Sequence, residues 1–253
     1  MTMHDFDLSG KRALITGGGS GLGLAVARTF AEYGAEVIIA GRRADVLDAA
    51  AAEIGGNVRT IVCDLAQLDV IPDLVDGIES AYGPLDVLVN NAGIHLKKDA
   101  LDVTDTEFET VLRTNLQAVF ALSREAARRM TERRSGSIIM ISSMAAKYGI
   151  PKVIAYTAAK AAVEGMTKAM AVEWSARGVR INCIAPGFIE TDMSAKALNN
   201  DPDRKNRVLG RTPMQQLGKP KDVALAAVFL ASAAAGFITG TSLAVDGGNS
   251  IGF

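Results

Sequence analysis

The feature that most limits the possible folds is a glycine-rich stretch near the start of the chain. An apolar run over residues 11–16 stops at Gly-Gly-Gly-Ser-Gly-Leu-Gly, residues 17–23, and helical periodicity follows. A second apolar run over residues 36–40 completes a strand, turn, helix and strand of βαβ length. Glycine in such a turn lets the backbone approach a pyrophosphate, whose charge then lies at the N-terminus of the helix. The unit predicts a dinucleotide site, and a mere flexible loop is the alternative.

Strand-like and helical segments alternate through the rest of the chain. Further strands are expected over residues 58–63, 85–89, 137–141, 179–184 and 242–245. Helices are expected over residues 71–82, 105–133, 156–176 and 223–231. Such alternation predicts a parallel sheet covered by helices on both faces. No repeat, linker or low-complexity tract divides the chain, so residues 1–253 are expected to form a single domain.

Polar residues follow the expected strands, where the carboxyl ends of a parallel sheet bind ligands. Asp64 ends the third strand, and Asn90 and Asn91 end the fourth. Residues 185–191 open a long polar stretch, and we interpret about residues 188–216 as a mobile lid over the ligand edge.

The expected helix over residues 105–133 has one polar interruption. Its core side is expected to consist of Phe108, Val111, Leu112, Leu116, Val119 and Phe120. Asn115 breaks that apolar face, and it either supports a local kink or has a functional role.

Tyr156 and Lys160 lie four residues apart in an alanine-rich segment, so a phenol and an ammonium share one helix face. The cation is expected to pull the pKa of Tyr156 from near 10 toward 7, where a phenol gives and takes a proton readily. Ser143 lies at the end of the strand expected over residues 137–141. Such Tyr and Lys pairs also occur on solvated helix faces, so the pair alone does not establish a site.

Composition bears on the partners of the chain. A formal net charge of -1 and the lack of a basic stripe give no reason to expect binding to nucleic acid or to an anionic membrane. With 49% hydrophobic residues, the 253-residue chain can form one large α/β core. It has no signal-peptide pattern and no run of eighteen apolar residues, so a cytoplasmic protein that does not span a membrane is expected.

Cysteines and histidines give no metal pattern. Cys63 and Cys183 both fall in apolar, strand-like runs, which predicts buried thiols of a reducing compartment. His4 and His95 are isolated from other ligand types, so no metal is expected and neither histidine is assigned a catalytic role.

Together these motifs resemble the short-chain dehydrogenase/reductase family over essentially the whole chain. The matching stretches are residues 16–23, Asp64 and Leu65, Asn-Asn-Ala-Gly at 90–93, Asn115, Ser143, Tyr-Thr-Ala-Ala-Lys at 156–160 and Pro-Gly-Phe-Ile-Glu-Thr at 186–191. The resemblance implies an α/β fold, namely a three-layer, doubly wound, Rossmann-type parallel sheet of seven strands. It also implies hydride transfer between a nicotinamide and a carbinol or carbonyl carbon.

The resemblance further implies roles for individual residues. Tyr156 would be the general acid/base, and Lys160 would lower its pKa and hold the nicotinamide ribose. Ser143 would bind the substrate oxygen, and Asn115 would help to hold a proton-relay water. The expected cofactor contacts are Gly17, Ser20, Gly21, Leu22, Gly23, Arg42, Arg43, Asp64, Leu65, Asn91, Ala92, Gly93, Tyr156, Lys160, Pro186, Gly187, Ile189 and Thr191. A nucleotide-sensing protein without catalysis is the alternative class, and it would not need the four catalytic residues.

The end of the second strand predicts which nicotinamide is used. Enzymes that use NAD usually place an acidic side chain there for the ribose 2′-hydroxyl, but this chain has Gly41. Arg42 and Arg43 follow, and a guanidinium can bind a 2′-phosphate and stack on adenine. NADP is therefore favoured, with NAD as the alternative. Ser20 stands where many NADP-dependent relatives carry another basic residue, and both arginines could instead be solvated charges at a helix start.

The predictions of the substrate and of the oligomeric state rest mainly on the resemblance to the family. Residues 94–101 look like a segment of sugar-acid dehydrogenases of the gluconate 5-dehydrogenase and 2-deoxygluconate 3-dehydrogenase types. Lys97 or Lys98 could meet a substrate carboxylate, or both could be surface charges. The alternative substrate is a 3-oxoacyl thioester.

The sequence also predicts a homotetramer. The expected helices have apolar faces, the last strand is a free sheet edge, and members of the family are commonly tetramers.

Overall fold

Seven parallel strands form one sheet in the computed structural model, which describes residues 3–56, 58–191 and 201–252. The strands are β1 Arg12–Thr16, β2 Glu36–Gly41, β3 Val58–Val62, β4 Val87–Asn90, β5 Gly136–Ile141, β6 Val179–Pro186 and β7 Ser242–Val245. Their order across the sheet is β3-β2-β1-β4-β5-β6-β7, and every neighbouring pair is parallel. The order reverses between β1 and β4, where ligands bind in doubly wound sheets.

Helices cover both faces of this sheet. The α-helices in the described residues are α1 Gly21–Glu32, α2 Ala44–Ile54, α3 Ile71–Tyr82, α4 Asp105–Leu112, α5 Ala118–Arg133, α6 Ile154–Trp174, α7 Pro202–Arg211 and α8 Pro220–Ala231. One apolar cluster joins the sheet to α1, α2 and α8, and a second joins its other face to α3, α5 and α6. The predicted three-layer, Rossmann-type fold is therefore confirmed. None of these helices is both long and apolar enough to cross a membrane.

Neighbouring residues of one strand reach opposite faces of the sheet. In β1, Leu14 belongs to one cluster and Ile15 to the other, and Ile38 and Ile39 of β2 divide in the same way. Because both faces are covered, these strands consist of unbroken apolar runs rather than alternating ones. This is why short apolar segments were sufficient to locate most strands in the sequence.

The helix expected over residues 105–133 is divided. A π-helical segment, Arg113–Gln117, separates α4 from α5. Its wider turn rotates the side chains that follow by about 100° relative to a regular helix. The expectation that Phe120 faces the core is accordingly wrong, because its side chain is 42% exposed and lies against the Arg124 guanidinium.

Three other expectations change in detail. Helix α2 had no counterpart in the predicted elements. Cys63 lies just beyond β3 and is only half-buried, whereas Cys183 is buried in β6. Residues 192–200 of the expected lid lie outside the described residues, and its later part contains α7.

Candidate active site

The glycine-rich turn joins β1 to α1 and needs glycine for two separate reasons. Gly21 has a φ of +55°, which is in the left-handed region, and no atom lies within 4 Å of where its Cβ would be. A Cβ on Gly23 would lie 2.1 Å from the carbonyl oxygen of Gly17, so α1 can approach the turn only at a glycine. The Ser20 side chain does not cap α1. The first amides of the helix therefore have no side-chain cap, and an uncapped helix N-terminus suits an anion.

Asn91 fixes this turn from the neighbouring strand. Its side-chain amide donates to the carbonyl oxygen of Thr16 at 2.9 Å. The backbone amides of Asn91 and Ala92 both donate to the Thr16 hydroxyl at 3.0 Å. The ends of β1 and β4 are thus held together at the point where the strand order reverses.

Asn115 sits in the π-helical segment and is completely buried. Its carboxamide oxygen accepts from the backbone amide of Ile94, and its Nδ2 donates to the carbonyl of Ile94, both at 2.8 Å. The Asn115 side chain therefore fixes the chain directly after the Asn-Asn-Ala-Gly turn. The expected relay water stays a prediction.

Three catalytic candidates meet at the carboxyl edge of the sheet. Helix α6 carries Tyr156 and Lys160 one turn apart, as the sequence predicts. Ser143 follows β5 at the start of a short 3-10 helix, and its hydroxyl accepts from the backbone amide of Ala145 at 3.1 Å. Ser143 lies near enough to Tyr156 to lower the pKa of the phenol. A phenol and an aliphatic hydroxyl are thus presented together, as binding of one substrate oxygen requires.

The expected lowering of the Tyr156 pKa is wrong for the protein on its own. Burial raises the pKa of Tyr156, against a smaller opposite effect of the Ser143 hydrogen bond. Lys160 Nζ lies 5.5 Å from the centre of the tyrosine ring and donates to the Ile141 carbonyl at 2.7 Å. Burial lowers the pKa of Lys160 to about 8, and the Cys183 thiol opposes this. The ammonium is directed to a backbone oxygen, and desolvation of the phenolate is the largest influence on the tyrosine.

A buried carboxylate ties the Ser143 loop to α6. Glu164 is 9% exposed and accepts from the Ser142 hydroxyl at 3.1 Å. Lys147 Nζ donates to the other Glu164 oxygen at 2.6 Å and to the Ser242 hydroxyl at 3.1 Å. Lys147 and Glu164 are seventeen residues apart and match no motif, so no sequence pattern predicted this link.

His95 is the residue at the site that the motifs missed. Its ring stacks on that of Tyr156, with centroids 3.8 Å apart and planes inclined by 23°. The one feature of the sequence that could have identified His95 is its position directly after Ile94, in the segment that follows the Asn-Asn-Ala-Gly turn.

Lys98, unlike His95, is engaged by another side chain: it donates to both carboxylate oxygens of Glu107, at 3.0 and 2.9 Å. This pairing is the main reason why the pKa of Glu107 falls to about 2.

The expected adenosine end lies at the carboxyl ends of β2 and β3. Arg42 and Arg43 are exposed, and neither forms an ion pair with another described residue. Asp64 accepts from the backbone amide of Ala66 at 3.1 Å, so its carboxylate closes a local turn. Leu65 packs against the second apolar cluster.

The opposite end of the expected site contains Pro186, the last residue of β6, and the loop after it. A Cβ on Gly187 would lie 2.7 Å from Cα of Asp246, so β6 and β7 continue in close contact. Ile189 forms an isolated parallel bridge with Gly218, and the Glu190 amide donates to the Gly218 carbonyl at 2.7 Å. Thr191 is half-buried. The two ends of the segment expected to be a lid are therefore joined.

In the described ranges, no three His, Cys, Asp or Glu side chains come together as metal ligands. The side chains brought together at the site are those of Ser143, Tyr156 and Lys160. A protonated phenol beside a serine hydroxyl can donate to an oxygen that gains negative charge in the reaction.

Known proteins are similar to this chain over nearly their full length. Residues 17–250 match the family described as Enoyl-(Acyl carrier protein) reductase. The gluconate 5-dehydrogenase of Gluconobacter oxydans is 39% identical over 246 residues, or 96% of each chain. The 3-oxoacyl-(acyl-carrier-protein) reductase FabG of Chlamydia trachomatis is 39% identical over 95% of this chain and 98% of its own.

Solved structures agree with the sequence relatives. A gluconate 5-dehydrogenase from Burkholderia cenocepacia J2315, in complex with NADP and tartrate, superposes with a TM-score of 0.94 at 35% identity, covering 99% of each chain. With the Ser143, Tyr156 and Lys160 geometry, these matches establish that the chain belongs to the short-chain dehydrogenase/reductase family and is an NAD(P)-dependent oxidoreductase.

Proposed function

We propose that this oxidoreductase acts on a sugar acid of the gluconate class, interconverting a secondary hydroxyl and a ketone. The observation that carries the proposal is the polar character of the segment beside Tyr156, where an exposed imidazole is followed by the exposed Lys97. Lys97 is free to meet a carboxylate, whereas Lys98 is engaged by Glu107. Relatives named as gluconate dehydrogenases support the same class.

In this proposal Tyr156 donates its phenolic proton to the substrate oxygen during reduction and removes it during oxidation. Ser143 donates a hydrogen bond to the same oxygen and so stabilises the developing alkoxide. Lys160 keeps a positive charge near the tyrosine at neutral pH, since its pKa of about 8 leaves it mostly protonated. Asn115 holds Ile94 in place and is also the residue we expect beside a relay water.

We propose that NADP is preferred to NAD. The residues fit a dinucleotide because the open space at Gly21 and the uncapped N-terminus of α1 suit a pyrophosphate. Arg42 and Arg43, exposed beyond Gly41, would hold the 2′-phosphate. The nicotinamide, when bound, supplies or accepts the hydride.

The other proposed contacts follow the layout of the strand ends. We expect the pyrophosphate to meet Gly17, Ser20, Leu22 and Gly23, and the adenosine to meet Asp64, Leu65, Asn91, Ala92 and Gly93. We expect the nicotinamide side to meet Pro186, Gly187, Ile189 and Thr191, beside Tyr156 and Lys160. Measured kcat/KM values for NADPH and NADH test the cofactor proposal, and a clear preference for NADH would reject it.

Reduction of a 3-oxoacyl thioester is the second candidate, because the reductase of Chlamydia trachomatis is as similar to this chain as the sugar-acid enzyme is. Both reactions need the same hydroxyl pair, so the catalytic residues do not discriminate between them. Assays with gluconate and related aldonic acids, run beside assays with acetoacetyl thioester, do discriminate. Activity on the thioester alone would end the sugar-acid proposal.

We further propose a homotetramer built from single-domain subunits that work in the cytoplasm. Strand β7 is an edge of the sheet, and the large apolar side chains Phe120, Ile154, Val172 and Phe237 are exposed on the single chain. About residues 188–216 would close over the substrate as a lid. Light scattering at micromolar concentration tests the assembly, and a monomer mass would contradict it.

A further inference from the structure

His95 contacts the expected catalytic tyrosine but has no part in the roles described so far. Its ring stacks on that of Tyr156, with 3.8 Å between the centroids, so one ring face is covered although the residue as a whole is exposed. The two ring nitrogens of a histidine lie in the plane of the ring. In a stacked pair they cannot bond to the tyrosine face, so their hydrogen bonds run outward from the edge of the pair.

The position of His95 is set by the backbone. Both polar backbone groups of Ile94 are bonded to the buried Asn115 at 2.8 Å. Further along, the backbone amide of Lys98 donates to the Lys152 carbonyl at 2.9 Å. The segment carrying His95 is thus held at two points, and the imidazole is placed beside Tyr156 before any substrate binds.

The imidazole is neutral at neutral pH. Burial lowers the pKa of His95, and the charge of Lys160 lowers it further. A neutral imidazole has one N–H donor and one acceptor nitrogen, so it can accept from a hydroxyl or donate to a carboxylate. In the proposed function the Tyr156 and Ser143 hydroxyls bind the reacting oxygen. The ring nitrogens of His95 can instead hydrogen-bond a neighbouring group of the substrate.

We propose that His95 is a specificity-determining residue that hydrogen-bonds a hydroxyl or carboxylate group on the carbon next to the reacting one. The substrates it would select are polyhydroxylated acids and polyols over alcohols or ketones without polar neighbours. This inference rests on the proposed function, because it names the contact by which such a substrate is recognised.

The test compares His95→Phe with the wild type on two alcohols. Phenylalanine can keep the stack on Tyr156 but has no hydrogen-bonding atom. One substrate is gluconate, and the other is cyclohexanol, which has no polar group beside its hydroxyl. We expect kcat/KM for gluconate to fall about tenfold, the effect of one lost hydrogen bond, and kcat/KM for cyclohexanol to change less than about twofold.

A second variant distinguishes recognition of the substrate by His95 from mere packing of its ring against Tyr156. His95→Gln restores a donor and an acceptor without the aromatic ring, so its preference for gluconate over cyclohexanol should return to within about threefold of the wild type. Unchanged NADPH binding and melting temperature confirm that the variants are folded. If the Phe variant does not fold, His95→Leu replaces it.

Two results would overturn the inference. If kcat/KM of His95→Phe falls equally for gluconate and cyclohexanol, the His95 ring only supports Tyr156. If both values stay at the wild-type level, so that the preference for gluconate is unchanged, His95 does not recognise the substrate. Either result leaves the proposed function intact, because the wild type still oxidises gluconate. A wild type that oxidises no hydroxy acid would instead reject the proposed function, and this inference with it.

Discussion

The two ends of the site are built in opposite ways. At the expected catalytic end, Asn115 and Lys160 are buried and hydrogen-bonded to backbone groups, and the Ser143 hydroxyl accepts from the backbone amide of Ala145. At the expected adenosine end, Arg42 and Arg43 are exposed and have no ion-pair partner among the described residues. The groups expected to react are thus fixed by the fold, while the groups expected to select the cofactor are solvated.

The fold determines the positions of the groups expected to react, whereas the conformation of the exposed arginines depends on the ligand. Groups that must meet a transition state benefit from being held in place before the substrate arrives. Exposed arginines lose conformational entropy only when they bind a phosphate, so their contribution depends on the ligand. We therefore expect changes at the catalytic end to affect turnover or folding and changes at the adenosine end to affect cofactor choice alone.

The strongest test removes the phenolic hydroxyl. Tyr156→Phe keeps the ring and its stack on His95 but removes the proton donor. We expect kcat to fall about a hundred- to ten-thousandfold, with cofactor binding retained, as measured by steady-state kinetics and a binding titration. Tyr82→Phe, at a partly exposed tyrosine at the end of α3, is the control. Near-normal turnover in Tyr156→Phe would remove the role assigned to it.

The buried ammonium of Lys160 predicts a pH dependence of stability. Folding lowers its pKa from 10.5 to about 8, so between these pH values the unfolded chain binds a proton that the folded chain has lost. The free energy of unfolding should therefore rise with pH across this window, by about 3 kcal/mol from this group, with no effect below pH 8.

Urea unfolding of the wild type and Lys160→Met at pH 7.5 and pH 10 measures this contribution, because other titrating groups largely cancel in the difference. The wild type should gain stability relative to the variant at the higher pH. Lys168→Met, at an exposed lysine of the same helix, should behave as the wild type does. Parallel behaviour of the wild type and Lys160→Met would show that folding does not lower the pKa of this lysine.

At the adenosine end, Arg42→Ala should lower kcat/KM for NADPH about tenfold to a hundredfold through the loss of a charge-assisted hydrogen bond. The value for NADH should stay within about twofold, since no phosphate is involved. Arg177→Ala, at an exposed arginine near the other edge of the sheet, is the matched control. An equal loss with both cofactors would place Arg42 outside the selecting contact.

The smallest expected effect concerns the link between Lys147 and Glu164. Glu164→Gln keeps the shape of the side chain but removes the charge that binds Lys147 at 2.6 Å. We expect the free energy of unfolding to fall by about 1–2 kcal/mol, because the pair is partly buried, and kcat to fall severalfold as the Ser143 loop loosens. Glu173→Gln, at an exposed glutamate of the same helix, should change neither.

The sequence predicted most of what depends on local patterns. Buried parallel strands are unbroken apolar runs, so β1, β2 and β5 were located within a residue or two. The i, i+4 spacing placed Tyr156 and Lys160 on adjacent turns of α6. The glycine turn was predicted because its chemistry is local as well.

What the sequence could not predict depends on contacts between distant segments. The π-helical segment is accompanied by two hydrogen bonds between Asn115 and Ile94, twenty-one residues away. The Tyr156 pKa depends on burial, which no spacing rule reports. His95 became part of the site only because Asn115 fixes its neighbour.

The bridge between Ile189 and Gly218 bears on how such enzymes diversify. Because the two ends of the intervening segment are bonded to each other, its length and composition can drift without displacing β6 or α8, and the entropy cost of a longer loop grows slowly. The composition of the expected lid can therefore change without moving Tyr156 and Lys160. The same bridge marks the natural boundaries for grafting the corresponding segment from a relative.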